Sequence, residues 1–201
     1  MRCGIRWGCS AVPQQLPKKS PLRRRAVPRQ SDPLGGREQS EPGVLVSRLD
    51  LADEVEAAAL LDLLDHYARD PMGGGKGLSD EAKRELVPRL KSIPGYLGGL
   101  AFIDGEAVGL VNCFFGFSTF AAKPLLNVHD IVVRAGRRGE GIGQALLDFA
   151  SEEARQAGCC KLTLEVLSGN SAALRAYERA GFRPYALDPA AGTAVFLERR
   201  L

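Results

Sequence analysis

The chain contains no apolar run approaching the roughly 18 to 20 residues that a membrane-spanning helix needs, which argues against a helical span and a membrane partner. It has no C-x-x-C pair, no cluster of cysteine with histidine, and only two histidines in all. A bound structural metal is therefore not expected. The five cysteines, Cys3, Cys9, Cys113, Cys159 and Cys160, are odd in number and include two neighbours. Adjacent cysteines do not easily reach disulfide geometry, so reduced thiols in a cytoplasmic setting fit best. A secretory signal would need an apolar region of roughly 7–15 residues after the early charges, and none follows them. There is no internal repeat. The phosphate-binding sequence G-K-[ST] is missing as well: Lys76 follows Gly73-Gly74-Gly75 but precedes Gly77, so that stretch reads as a flexible loop.

What is present is ordinary globular material, with 45% hydrophobic and 25% charged residues among 201. That balance excludes a collagen and a wholly disordered chain, and the length suits one folded domain. The net charge of +3 is unevenly spread: nine Lys+Arg and three Asp+Glu fall in residues 1–43. The rest of the chain is slightly acidic and offers no basic surface for nucleic acid. Half of the twelve prolines also lie in that first stretch, which has no hydrophobic period and no acid before Asp32. Such a segment buries too little apolar surface to offset the entropy of ordering it. We expect residues 1–43 to be a disordered extension or to follow from a start codon set too far upstream. An Arg-rich, acid-poor transit peptide, implying an organelle, is the alternative.

Residues 44–201 read as the folded domain. A strand at 44–48 precedes a helix at 52–68, whose apolar residues fall at 57, 60, 61, 64 and 67. Ser79 is placed to cap a second helix, which Pro88 should kink or shorten. Strands at 97–103 and 107–115 flank Asp104-Gly105, a two-residue hairpin signal, and a strand at 125–133 follows. The clearest helix is 141–157, stopped by Gly158. A strand at 161–167, a helix at 171–180 closed by Gly181, and short strands at 182–187 and 193–198 complete the pattern. The order β-α-α-β-β-β-α-β-α-β-β is mixed α/β with about four helices. The helix between the strands at 125–133 and 161–167 makes those two parallel neighbours.

Chemistry concentrates where the strand at 125–133 ends, in Ile131-Val132-Val133, and Arg138-Gly139-Glu140-Gly141-Ile142-Gly143-Gln144 opens a helix. Unpaired N–H groups of a first helical turn converge on one spot, and the helix dipole favours negative charge there. Gly139, Gly141 and Gly143 would let the backbone approach a diphosphate closely, with Arg137 and Arg138 as mobile positive charge. The glycines read G-x-G-x-G and not the dinucleotide G-x-G-x-x-G.

Arg138, Gly141 and Gly143, as R-x-x-G-x-G, resemble the acetyl-CoA signature of the GNAT superfamily of N-acetyltransferases. Asn170, Ala173, Tyr177, Gly181 and Phe182 resemble its N-x-x-A-x-x-x-Y-x-x-x-G-F segment, in order and about 30 residues on. The resemblance implies a central, mostly antiparallel sheet of six to seven strands with a parallel V-shaped splay. It implies that amides of Arg138 to Gln144 hold the CoA diphosphate. The pantetheine arm would pair with backbone near Ile131 to Val133 and touch Asn170. Tyr177 would protonate the departing thiolate, and an N–H near Ile131 could stabilise the oxyanion. His129 and Asp130, on opposite faces of a regular strand, fall where the spermidine/spermine branch of the family carries two acids. His129 could act as base or only hydrogen-bond in the core; Asp130 could steer an amine or pair with a nearby cation.

Phe114, Phe115, Phe117 and Phe120 could wall an acceptor pocket by contact with a cation, though Phe115 equally suits the core. His66 reads as a dipole partner at a helix C-terminus and no more. The preferred reading is direct transfer of acetyl from acetyl-CoA to a small cationic amine, with no metal and no cysteine intermediate. A homodimer would follow the superfamily's habit. A protein Nα or lysine acceptor is the second reading, decided by whether the loop at 71–78 is open or folded as a lid. A non-catalytic acyl-CoA sensor is the third.

Overall fold

The computed structural model of the protein describes residues 43–185, 190, 192 and 194–199. The expected N-terminal extension therefore lies outside the described residues, apart from Gly43. Five strands form one sheet in the order β1-β2-β3-β4-β5: β1 (Leu45–Arg48), β2 (Tyr96–Ile103), β3 (Glu106–Ser118), β4 (Lys123–Val133) and β5 (Leu162–Leu164). The first three pairings are antiparallel, and β4 pairs with β5 in parallel. The helices are α1 (Glu54–Arg69), α2 (Asp80–Lys91), α3 (Ile142–Gln156) and α4 (Ser171–Arg179), with single 3-10 turns at Pro71–Gly73 and Ala135–Arg137.

Local chemistry explains the boundaries. Asp53 caps α1 by accepting from the N–H groups of Val55 and Glu56, and Ser79 caps α2 by accepting from Ala82 N–H. Asp104 and Gly105 both take positive φ, the conformation of a tight hairpin turn. Pro88 does not end α2, which runs on to Lys91. Pro88 is exposed, so the Arg84 carbonyl it leaves without a donor is on the water side.

Both faces of the sheet are covered. Leu97, Ala101, Val111, Cys113, Leu126 and Val128 pack on Ile142, Leu146, Ala150 and Ala154 of α3. Leu100, Leu110 and Val132 pack on Leu60 and Leu63 of α1 and Leu90 of α2. Along β4, Leu126 and Val128 face α3, and so do Ile131 and Val133. The period of two slips once in between. The slip is a bulge: Cys113 pairs with Val128 and Asn112 with Asp130, leaving His129 as the extra residue.

The expected sheet of six or seven strands is corrected to five among the described residues. Residues 182–185 and 194–199 are not strands; Ala186, Leu187 and Thr193, at the edges of the two expected strands, lie outside the described residues. Pro184 has no N–H to give a ladder, and the consecutive Val195, Phe196 and Leu197 are all exposed, so no alternate face is buried. β5 is also shorter than expected, because its pairing with β4 stops at Val128 and Leu164, where the bulge begins.

A half-buried ion pair ties the sheet to α3. Arg48, ending β1, donates to Glu153, and Glu153 is 4% exposed where Arg48 is 51% exposed. Arg48→Ala leaves a carboxylate with no counter-charge in the core. We expect it to cost about 2–3 kcal/mol of unfolding free energy, below the ~3–5 of a fully buried pair because water reaches the arginine. Urea unfolding measures this; a loss under about 0.5 kcal/mol would mean that water replaces the guanidinium.

Candidate active site

The bulge shapes the site. On a regular strand His129 and Asp130 would point to opposite faces, as the sequence led us to expect. Both instead line one cavity of about 350 Å³ on the α1/α2 side of the sheet, because two consecutive residues of a bulge face the same way. Asn112 and Phe114 of β3, Tyr67 and Leu64 of α1, Leu86 and Leu90 of α2, and Gly73 and Leu78 of the intervening loop are also in its wall. The Phe114 ring meets the His129 ring edge-on at 5.4 Å. Among the described residues no cation pairs with Asp130: its Oδ2 accepts from Asn112 Nδ2 at 3.1 Å, and Asn112 Oδ1 accepts from the Tyr96 hydroxyl at 2.9 Å. Burial above all pushes the Tyr96 phenol up, with Cys113 and Asp130 adding to it, so it remains a donor in this chain.

The bulge also re-aims the backbone. Below it, Leu126 N–H donates to Lys161 at the β5 side; above it, Arg134 N–H donates to Val108 of β3. Alternation then turns the N–H groups of Ile131 and Val133 away from β3, toward the gap where β5 has ended. Val132 is excluded from that free edge: it pairs with Leu110 and is buried.

At the end of β4 the chain turns into α3. Gly139 and Gly141 have φ of +92° and +81°. A Cβ at either would meet nothing within 4 Å, so the turn borders open space. No side chain caps α3, whose first backbone bond runs from Ala145 N–H to the Gly141 carbonyl at 3.0 Å. The N–H groups of Ile142, Gly143 and Gln144 are left facing the turn. An anionic diphosphate fits such a cradle. Glu140, at the rim, pairs with Arg137 at 3.5 Å.

Helix α1 holds this turn by one polar stripe. Asp62 and His66 lie one turn apart on a single face of α1, and Asp70, four residues further on, is the residue that ends the helix. Asp62 accepts from Arg134 at 2.7 Å, His66 Nε2 from Ala135 N–H at 3.2 Å, and Asp70 from Arg138 at 2.7 Å. His66 is thus more than the dipole partner the sequence suggested, and Arg138 is tethered where free charge was expected. The Arg138 guanidinium beside Asp70, with Met72 N–H, holds the Asp70 carboxyl below the usual carboxylate range.

The loop after α1 is folded. Asp70 accepts from the N–H groups of Met72, Gly73 and Gly75, and Leu78 N–H donates to Asp65. Tyr177, on α4, meets Phe182 edge-on at 6.0 Å. Burial pushes its phenol up to about 12, and Tyr67 adds to that. Tyr67 is itself raised, by burial first and then by Asp130 and Asp70. Asn170 caps α4, accepting from Ala173 N–H at 3.1 Å, which leaves its side-chain NH₂ to meet a ligand. Of the four phenylalanines, only Phe114 lines the cavity; Phe115 packs in the core, and Phe117 and Phe120 are exposed. Tyr67, Asn112 and Asp70 escaped the sequence reading. Asn112 alone carried a signal, as the one polar residue in the apolar run from Val108 to Phe115.

Residues 57–182 match the family model described as the Acetyltransferase (GNAT) family. The streptothricin acetyltransferase of Streptomyces lavendulae is 41% identical over 87 residues, 43% of this chain and 44% of that protein. The thialysine N-epsilon-acetyltransferase of Bos taurus is 32% identical over 96 residues, 48% of this chain and 53% of that one. The chain spans about half the length of these curated relatives. Among solved structures, the ribosomal-protein-alanine N-acetyltransferase of Brucella melitensis biovar Abortus 2308 superposes with a TM-score of 0.58. The overlap covers 78% of this chain and 99% of that one at 22% identity, a likeness of fold.

Proposed function

The chain belongs to the GNAT acetyltransferase family, and on that premise we propose that it transfers acetyl from acetyl-CoA directly to a primary amine of a small cationic molecule. One observation carries the reading. In chain order, β4 and the start of α3 present a cavity floor at His129 and Asp130, free edge donors at Ile131 and Val133, and the N–H cradle at Ile142 to Gln144. A ligand gripped by its phosphates at the cradle and extended along that edge delivers its far end to the cavity floor.

The residues divide the work accordingly. Acetyl-CoA supplies a thioester, an acyl group activated toward amines. The cradle, Arg138 and Asn170 fix the carrier, and the Ile131 and Val133 N–H groups align its arm. Asp130 holds the incoming ammonium beside His129, which takes its proton directly or through water. Tyr177 keeps its proton at neutral pH and can deliver it to a departing thiolate. The loop after α1 is folded and contributes Gly73 and Leu78 to the cavity wall, which supports a small acceptor above a peptide.

Incubating the full chain with acetyl-CoA and a panel of amines and peptides tests this. We expect free thiol to appear only when an amine is present, with an N-acetylated product by mass spectrometry. Thiol release without such a product, or acetylation of peptides alone, would overturn the reading.

A further inference from the structure

The cavity's charge is more specific than its size. Asp130 is the one carboxylate in its wall, and among the described residues no lysine or arginine is within ion-pair distance of it. The neighbouring acids at the end of α1 are spent: Asp65 is held by Arg69 and Lys83, and Asp70 by Arg138. Beyond Asp130 the wall is mostly apolar, with Leu64, Leu78, Leu86, Leu90 and Phe114, and its other polar side chains, Tyr67, Asn112 and His129, bring no second carboxylate. An ammonium at Asp130 is matched. A second ammonium on the same molecule would find no second carboxylate in the wall, and burying a charge without a counter-charge is costly. The volume of about 350 Å³ stands near the bottom of the ~300–1,000 Å³ range of ligand pockets.

We propose that the acceptor is a monocationic amine carried on an apolar body, an alkyl or arylalkyl amine, and that polyamines and aminated sugars are poor acceptors. This rests on the acetyl-transfer reading and narrows it. It also departs from the spermidine/spermine resemblance, where two acids stand in place of one acid and His129. Leu86 is a specificity-determining residue, because it is half-buried on α2 and lines the cavity, where a carboxylate in its place could pair with a second ammonium.

Hexylamine and hexamethylenediamine make the cleanest comparison, since they differ by one terminal ammonium. We expect kcat/KM for hexylamine to exceed that for the diamine by about 10- to 100-fold, the usual range for one mismatched group in a pocket. Leu86→Glu, checked for folding by circular dichroism, should move that ratio toward the diamine by about tenfold. A diamine or spermidine used as well as hexylamine overturns the inference, as does a Leu86→Glu ratio that does not move in a folded protein. Calorimetric binding of both amines to the CoA-loaded protein separates this from failure of the acetyl-transfer reading. Preferential hexylamine binding with no acetylated product supports the pocket assignment and sinks the reaction; no binding of either amine sinks the pocket assignment.

Discussion

Gly141→Val should weaken CoA binding by about 100-fold or more, equivalent to about 2.7 kcal/mol. Gly141 sits at φ +81°, directly before the first residue of α3. A β-branched residue is an outlier there, and holding a side chain in that region costs of order 1–3 kcal/mol. The chain relieves the strain by rotating the turn, which swings the N–H groups of Ile142, Gly143 and Gln144 off their common focus. Charge-assisted bonds to phosphate depend on direction, so several weaken together. Gly143→Ala separates the two roles of glycine here. Its φ is ordinary, and a Cβ would meet only Val133 Cγ2 at 3.8 Å, so the helix itself accepts the methyl. A loss of about tenfold in that variant, with an unchanged melt, would mark close approach of the ligand to the backbone. Isothermal titration with CoA gives both numbers. Wild-type affinity in a folded Gly141→Val protein would remove the cradle from the mechanism, and with it the arm alignment assigned to Ile131 and Val133.

This half of the site was legible because its chemistry is local. A strand, closely spaced glycines and an amphipathic helix are consecutive, so the turn follows from periodicity and from the conformations glycine permits. The other half was not. Nothing in Val128-His129-Asp130-Ile131 announces a bulge, since no glycine or proline stands there. Register against β3 decides it, and register is set by pairing some twenty residues away in sequence. A single inserted residue then put His129 and Asp130 on one face and turned the Ile131 and Val133 donors outward, which alternation alone forbids. The stripe of Asp62, His66 and Asp70 has a similar history. Its spacing of four is visible in the sequence, but its partners Arg134, Ala135 and Arg138 are reached only through the fold. The two expected C-terminal strands failed for the converse reason: short apolar runs satisfy a strand pattern without any face to bury.

Tyr177→Phe should lower kcat by about 10²- to 10⁴-fold, the span of a positioned general acid, while CoA affinity stays within about twofold. The substitution is clean because the ring's edge contact with Phe182 needs no hydroxyl, so packing survives and only the proton donor is lost. The pH profile carries the sign. Burial raises the Tyr177 phenol from its ordinary 10 to about 12, so the protonated, donating form persists at every pH below that value. The wild-type rate should therefore rise as the base loses its proton and then stay level past pH 10; an unshifted tyrosine would bring an alkaline fall there. The leaving group offers an independent reading. A thiol of lower pKa departs without help, so an acetyl thioester of a more acidic thiol should narrow the gap between wild type and Tyr177→Phe. A purely structural tyrosine would depress both thioesters alike, and a sensor without turnover would give no rate to depress. Equal kcat in the two proteins at neutral pH would strip Tyr177 of its role and leave proton delivery to water.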